Sequence, residues 1–171
     1  MENVLVTSNT FRIENEAFEH IGDLEWFEGP LLSLFLENTS NSPYILHWVD
    51  IQNDTHRWLL YPVSPRALQL YLNGKITNED LIWLQPAGML RLVDMNADMH
   101  VQEVKYCSAA DLPVDYLPTA ESYFDVDICP NLPKIKRVLE IIPTLTLANY
   151  PSLAENTTPA RQVAEGQRPT K

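Results

Sequence analysis

The sequence predicts an α+β domain, in which an antiparallel sheet of about five strands carries two short helices on one face. Three observations predict this architecture. Short apolar segments of strand length alternate with turn residues. Two helical segments between the third and fourth strands each follow a residue that can cap a helix. After residue 111 prolines are too frequent for a central strand or a long helix, which predicts a proline-rich C-terminal extension.

The first three strands are predicted from apolar patterns that are separated by polar turns. They cover residues 31–37, 44–49 and 57–63. Alternation along the second strand places Tyr44, Leu46 and Trp48 on one face. Pro62 marks the end of the third strand or an edge position, because proline donates no hydrogen bond to a neighbouring strand.

Two short helices are predicted to follow. Ser64 can cap the first helix, over residues 65–73, since its side-chain oxygen accepts a free backbone N–H. Thr77 and Asp80 have the spacing of a capping box, with Asp in place of Glu, and predict a second helix that ends before Pro86. Residues 89–93 and 100–106 then predict a second hairpin.

The chain divides by composition into four parts. They are an acidic N-terminal segment, 1–28, with a possible edge strand through 4–6 or 11–13; the α+β core, 29–110; the proline-rich extension, 111–155, with one amphipathic segment at 134–142; and a tail, 156–171, whose composition predicts disorder.

The net charge of −11 is concentrated in the body of the chain, where residues 1–125 carry 19 acids and 6 bases. Such a surface repels phosphate backbones, so direct nucleic-acid binding is not expected. An acidic surface instead favours a protein partner with a basic face. The sequence also has no apolar run as long as a membrane span.

The expected compartment is the cytoplasm, because the N-terminus lacks the basic flank and long apolar segment of a secretory signal. Cys107 and Cys129 are too few and too isolated for a disulfide framework or a zinc module. Reduced, buried thiols are therefore expected.

Four core and turn motifs follow one another in the first half of the core. They are E-G-P-L-L-S-L-F, W-V-D, R-W-L-L-Y-P-V-S and Y-L-N-G-K-I. This stretch, roughly residues 28–85, resembles an uncharacterised bacterial domain family. The resemblance implies a fold only, since the matching residues are those of a core and its turns.

The pattern V-D-x-x-x-D-x-H occurs twice, at residues 49–56 and 93–100. The predicted strand directions place both loops at one end of the sheet, so their side chains could form a Mn, Fe or Zn site. The ligands would come from Asp50, Asp54, His56, Asp94, Asp98 and His100. However, at a mean residue frequency of ~6% a chain of this length contains on the order of ten such pairs by chance. Two ordinary hairpin turns, which select Asp and Asn, are the preferred interpretation.

Asp94, Glu103 and Lys105 have the order of a metal-dependent nuclease site, in which two carboxylates hold Mg and a lysine assists water. The expected hairpin register opposes this arrangement. A hairpin that pairs Asp94 with His100 pairs Arg91 with Glu103, which separates the two carboxylates by about 10 Å along the strands.

No phosphate-binding glycine loop or nucleophile elbow is present, and no cofactor is predicted. An acidic loop with two aromatic residues is instead typical of a protein contact. Its residues are Glu25, Trp26, Phe27 and Glu28. The preferred hypothesis is a noncatalytic accessory, inhibitory or immunity-type subunit that binds a basic protein. The alternatives are the hydrolase or nuclease at Asp94, Glu103 and Lys105, and an acidic mimic of nucleic acid.

Overall fold

A computed structural model describes residues 10–141 and contains one antiparallel sheet whose strands are neighbours in chain order. The strands are β1 (Thr10–Ile13), β2 (Glu16–Trp26), β3 (Pro30–Glu37), β4 (Ser42–Gln52), β5 (Thr55–Pro62), β6 (Leu90–Met95) and β7 (Val101–Cys107). The α+β arrangement is confirmed, but the prediction of about five strands is wrong, because the sheet has seven. The edge strand that was predicted at either 4–6 or 11–13 has its second position within β1, whereas residues 4–6 lie outside the described residues.

Strand β2 was missed because charged residues and irregular pairing hide its apolar pattern. Its register against β3 shifts between His20 and Gly22, between Asp23 and Glu25, and again at Trp26. Each shift breaks the strict alternation by which a half-buried strand is recognised. The buried residues of β2, Phe18, Ile21 and Leu24, nevertheless anchor it in the core.

The sheet curls until β1 and β7 come into contact, and the enclosed side is called the closed face. Its core consists of Phe11, Ile13, Phe18, Phe35, Leu46, Trp58, Leu60, Val93, Met95 and Met99. Tyr44, Leu46 and Trp48 share this face, as predicted. The Arg91 guanidinium is buried on this face and forms an ion pair with Glu16, which joins β6 to β2.

The opposite side, the helix face, is covered by α1 (Pro65–Leu72), α2 (Asn78–Trp83) and α3 (Leu132–Ile141). Both predicted caps are confirmed. Ser64 Oγ accepts from the Ala67 N–H at 3.0 Å, and Thr77 and Asp80 form the reciprocal capping box. None of the helices between residues 10 and 141 combines the length and the apolar character needed to cross a bilayer.

The proline-rich extension packs on the helix face. Residues 108–131, called the strap, contain short 3-10 turns and bury Leu112 and Cys129. Ser122 accepts from the backbone N–H groups of Asn78 and Glu79, at 2.8 and 3.3 Å, and so caps α2 from outside.

The predicted amphipathic segment forms α3 and docks on the body through Ile135 and Leu139. This helix lies across β2, a strand that was not predicted from the sequence. Residues 142–171, which include the predicted tail 156–171, lie outside the described residues.

The cysteines are free thiols, as expected. Cys129 is buried and Cys107 is half-buried. Burial raises the pKa of both thiols, and nearby carboxylates of Asp111 and Asp23 raise the pKa of Cys107 and Cys129 respectively. A raised pKa keeps a thiol protonated and therefore a poor nucleophile.

Candidate functional site

Three hairpin turns lie together at one end of the sheet, which is called the turn end. They are the β2–β3 turn (27–29), the β4–β5 turn (53–54) and the β6–β7 turn (96–100). The pairing of His56 with Met95 brings the last two turns side by side, as the sequence predicted. Thr55 Oγ1 also donates to Gln102 Oε1 at 3.3 Å, which links the two hairpins directly.

The Asp and Asn residues of these turns set the backbone geometry. Asn53 and Asp54 both have positive φ, 49° and 64°, which a two-residue turn between twisted strands requires. Asn96 Oδ1 accepts from the backbone N–H groups of Asp98 and His100, at 3.0 and 2.9 Å. The interpretation of the two V-D-x-x-x-D-x-H stretches as hairpin turns is therefore confirmed.

The helix face at the turn end contains a polar pocket of about 400 Å³. It is lined by Asp50, Gln52, Asn53, Thr55, Arg57, Asp94, Gln102 and Glu103. Its central feature is a two-pronged ion pair, in which Arg57 Nε and Nη2 donate to the two carboxylate oxygens of Asp94 at 2.8 and 3.0 Å. The pKa of Arg57 is raised, mainly because its guanidinium donates hydrogen bonds to the Asp94 carboxylate.

The strap completes this network. Tyr116 accepts from Arg57 Nη1 at 3.3 Å and donates its hydroxyl proton to Asp50 Oδ2 at 3.0 Å. The chain of contacts therefore runs from Asp94 through Arg57 and Tyr116 to Asp50. These polar groups satisfy one another, and they tie the sheet to the strap.

The predicted register of the second hairpin is wrong. Asp94 pairs with Glu103, and Arg91 pairs with Tyr106, three residues away from the expected partners. The Asn96 turn occupies five residues, and a bulge lies between Asp94 and Met95. The extra loop residues shift the whole second strand.

This correction brings two residues of the nuclease-like arrangement together, since Asp94 and Glu103 are direct cross-strand neighbours. Lys105 follows on the same face, with its Nζ 3.7 Å from Glu103 Oε1. The Asp94 carboxylate, however, already accepts both hydrogen bonds from Arg57. Glu103 and Lys105 are more than half exposed.

The six residues of the metal hypothesis are all described. Within residues 10–141, no group of three or more His, Cys, Asp or Glu side chains is placed to hold a metal ion. Asp94 and Asp50 are engaged by Arg57 and Tyr116, and His56 Nδ1 accepts from Trp48 Nε1 at 3.0 Å. Asp54, Asp98 and His100 are exposed turn residues.

The closed face at the turn end contains the aromatic groove, an apolar cavity of about 310 Å³. It is lined by Phe27, Glu28, Gly29, Pro30, Leu31, Trp48, His56 and Trp58. Trp48 and Trp58 are paired across β4 and β5, so their side chains lie next to each other on this face. Phe27 is 69% exposed at the tip of the β2–β3 turn.

The four predicted contact residues separate into two pairs. Phe27 and Glu28 line the aromatic groove, whereas Glu25 and Trp26 are half-buried and are not among its described lining. Burial raises the pKa of Glu25, and the nearby Asp125 of the strap raises it further. Glu25 therefore lies toward the helix face. The register shifts on both sides of Glu25 account for this separation.

Sequence reasoning assigned Trp48 and Trp58 to the core and missed their place in the groove. The Asn53–Asp54 turn alone would pair Trp48 with Leu59, and it is the register shift between Trp48 and Asp50 that brings Trp48 opposite Trp58. No local signal in the sequence could therefore have found this pair. Trp58 is buried and Trp48 is half-buried, so one serves as a floor and the other as an open wall.

No protein family, curated protein or solved structure matches this chain. The resemblance over residues 28–85 stays a prediction.

Proposed function

We propose that this chain is a noncatalytic, cytoplasmic protein-interaction module, of the accessory, inhibitory or immunity type, that binds a basic protein through its turn end. One observation carries the proposal: Phe27 is 69% exposed beside an apolar groove walled by Trp48 and Trp58. The groove supplies the apolar contact, and the acidic turns around it supply the rim.

An exposed phenylalanine is a strong candidate for an interface anchor. Full burial of such a side chain yields about 1.5–3 kcal/mol. Aromatic residues at the centre of an interface, surrounded by polar groups that exclude water, contribute much of the binding energy in protein complexes. Phe27 and Trp48 are therefore the residues whose truncation should weaken binding most.

The charge of the turn end supports a basic partner. Glu28, Asp54 and Asp98 are exposed in the three turns, and the whole chain has a net charge of −11. Complementary charge at a rim accelerates association and selects among partners more than it adds affinity. We therefore expect partner binding to weaken as the salt concentration rises.

Affinity capture from the native cells tests the proposal. The tagged wild-type chain should retain a stoichiometric basic protein, and Phe27→Ala should reduce its recovery about tenfold or more. Tyr123→Ala is the matched control, because Tyr123 is an exposed aromatic residue of the strap. Equal recovery with wild type and Phe27→Ala would refute the proposed interface.

The hydrolase or nuclease alternative is favoured by one observation, the cross-strand pairing of Asp94 with Glu103. The Arg57 guanidinium on Asp94 opposes it, because a metal ion would have to displace that ion pair. Calorimetric titration of the full chain with Mg²⁺ or Mn²⁺ decides between the metal site and the interaction module. Saturable binding that Glu103→Gln abolishes would support the metal site over the interaction module.

A further inference from the structure

The lining of the aromatic groove is suited to a cation as well as to an apolar group. Three aromatic rings, from Phe27, Trp48 and Trp58, surround it, and Glu28 lies at its edge. Aromatic faces carry negative electrostatic potential and attract guanidinium and ammonium groups, with tryptophan the strongest. None of the eight described lining residues is Lys or Arg.

The same sheet already holds one guanidinium in this way. The Cζ atom of Arg91 lies 5.6 Å from the ring centroids of Phe18 and Tyr44, and 5.8 Å from that of Tyr106. Glu16 supplies the counter-charge through its ion pair with Arg91. On the closed face, three rings and one glutamate thus surround an arginine that is only 6% exposed.

The aromatic groove likewise combines three aromatic rings with one glutamate, but at a position that is open to solvent. Its rings are positioned before any partner arrives, since Trp58 is buried and Trp48 Nε1 donates to His56 Nδ1 at 3.0 Å. The Phe27 N–H donates to the Gly29 carbonyl at 3.0 Å, which fixes the backbone of the tight β2–β3 turn that carries the third ring. Preorganised side chains lose less entropy on binding.

We infer that the aromatic groove binds the guanidinium of an arginine side chain presented by the partner protein, with Glu28 as its counter-charge. This inference rests on the proposed function and specifies its ligand. The volume of about 310 Å³ accommodates one long side chain. Arginine is favoured over lysine because its flat guanidinium stacks on an indole and pairs with a carboxylate at the same time.

Peptide titration of the ¹⁵N-labelled full chain tests the inference. The probes are short capped peptides that are identical except for a central arginine, lysine, trimethyllysine, citrulline or norleucine. The readout is the indole N–H resonances of Trp48 and Trp58, with Trp83 of α2 as the internal reference. We expect the arginine peptide to shift the first pair, and citrulline to bind about tenfold more weakly because it lacks the charge.

Variants locate the binding. Phe27→Ala should weaken the arginine peptide about tenfold, and Glu28→Gln about threefold, whereas Glu121→Gln, an exposed acid of the strap, should leave it unchanged. Citrulline or norleucine binding as tightly as arginine would overturn the inference, as would tighter lysine or trimethyllysine binding, or no shift at millimolar peptide. The proposed function fails separately, if partner capture does not depend on Phe27.

Discussion

The polar pocket and the aromatic groove lie at the same end of the sheet, on opposite faces of β4 and β5. In the polar pocket, Arg57 is paired with Asp94 and Asp50 accepts from Tyr116, so its charged groups are engaged within the chain. In the aromatic groove, Phe27 is exposed and the apolar walls face solvent. Charged side chains that pair with one another therefore stabilise the fold, whereas exposed aromatic side chains without such partners leave a surface suited to binding.

The largest expected effect tests the structural role of the polar pocket. Arg57→Leu should lower the free energy of unfolding by about 2–3 kcal/mol, because it leaves the Asp94 carboxylate without its partner. Urea denaturation measures this loss, and a double-mutant cycle with Asp94→Leu isolates the pair. Binding of the arginine peptide should stay within twofold. A loss below about 1 kcal/mol would place the pair among ordinary surface salt bridges.

A second prediction concerns the strap that carries Tyr116 to the polar pocket. A Cβ atom at Gly22 would lie 2.7 Å from Asn131 Cβ, at the start of the docked α3 segment. Gly22→Ala should therefore destabilise the fold by about 2 kcal/mol through overpacking. It should also reduce amide-exchange protection in α3, without changing the groove.

Asn131→Gly is the matched background for this test, because it removes the clashing atom. There the added cost of Gly22→Ala should fall below half of its value in the wild-type chain. An unchanged cost would show that the strain at Gly22 comes from elsewhere.

The third prediction is a pH dependence of the helix face. Burial lowers the pKa of His47 from 6.5 to about 4. The unfolded chain then binds more protons in this range, so stability present above pH 6.5 is lost as the pH falls toward 4. Because His47 as a residue is only half-buried, solvent weakens the effect, and we expect a loss of about 2 kcal/mol in the free energy of unfolding.

His47→Leu separates this contribution from that of other groups. Burial raises the pKa of Glu37, but hydrogen bonds from Ser40 and Thr39 outweigh burial and lower this pKa. The stability that the Glu37 carboxylate contributes is therefore lost only below pH 4.5. Between pH 6.5 and 4.5, denaturation of His47→Leu should show a flatter pH dependence than that of the wild-type chain. Parallel curves would contradict the assignment to His47.

The smallest expected effect concerns the turn that borders the polar pocket. Asp54 has a positive φ of 64°, which glycine adopts without strain. Asp54→Gly should stabilise the hairpin by about 0.5 kcal/mol, whereas Asp54→Ala should destabilise it. Thermal unfolding measures both. Loss of stability in Asp54→Gly would mean that the carboxylate does more than shape the turn.

Local signals in the sequence predicted the elements that depend on neighbouring residues. The caps at Ser64 and Thr77 fixed the starts of both short helices, because a capping side chain bonds to a backbone N–H two or three residues away. The Asn53–Asp54 turn and the alternation of β4 were equally readable. Phe27 and Glu28, which line the aromatic groove, belong to an acidic aromatic turn that is likewise a local pattern; their role in partner binding stays a prediction.

What the tertiary structure decided depends on bulges and on distant pairing. A register shift between Trp48 and Asp50 turns Asp50 to the helix face while Trp48 stays on the closed face, and thereby divides the turn end into two sites. Similar shifts hid β2 and moved Glu103 opposite Asp94. One extra residue reverses which face every later side chain occupies. Its position is set by packing against strands far away in the chain. The sequence alone therefore determined the β4–β5 and β6–β7 hairpins, but not β2 or the faces on which side chains meet beyond a bulge.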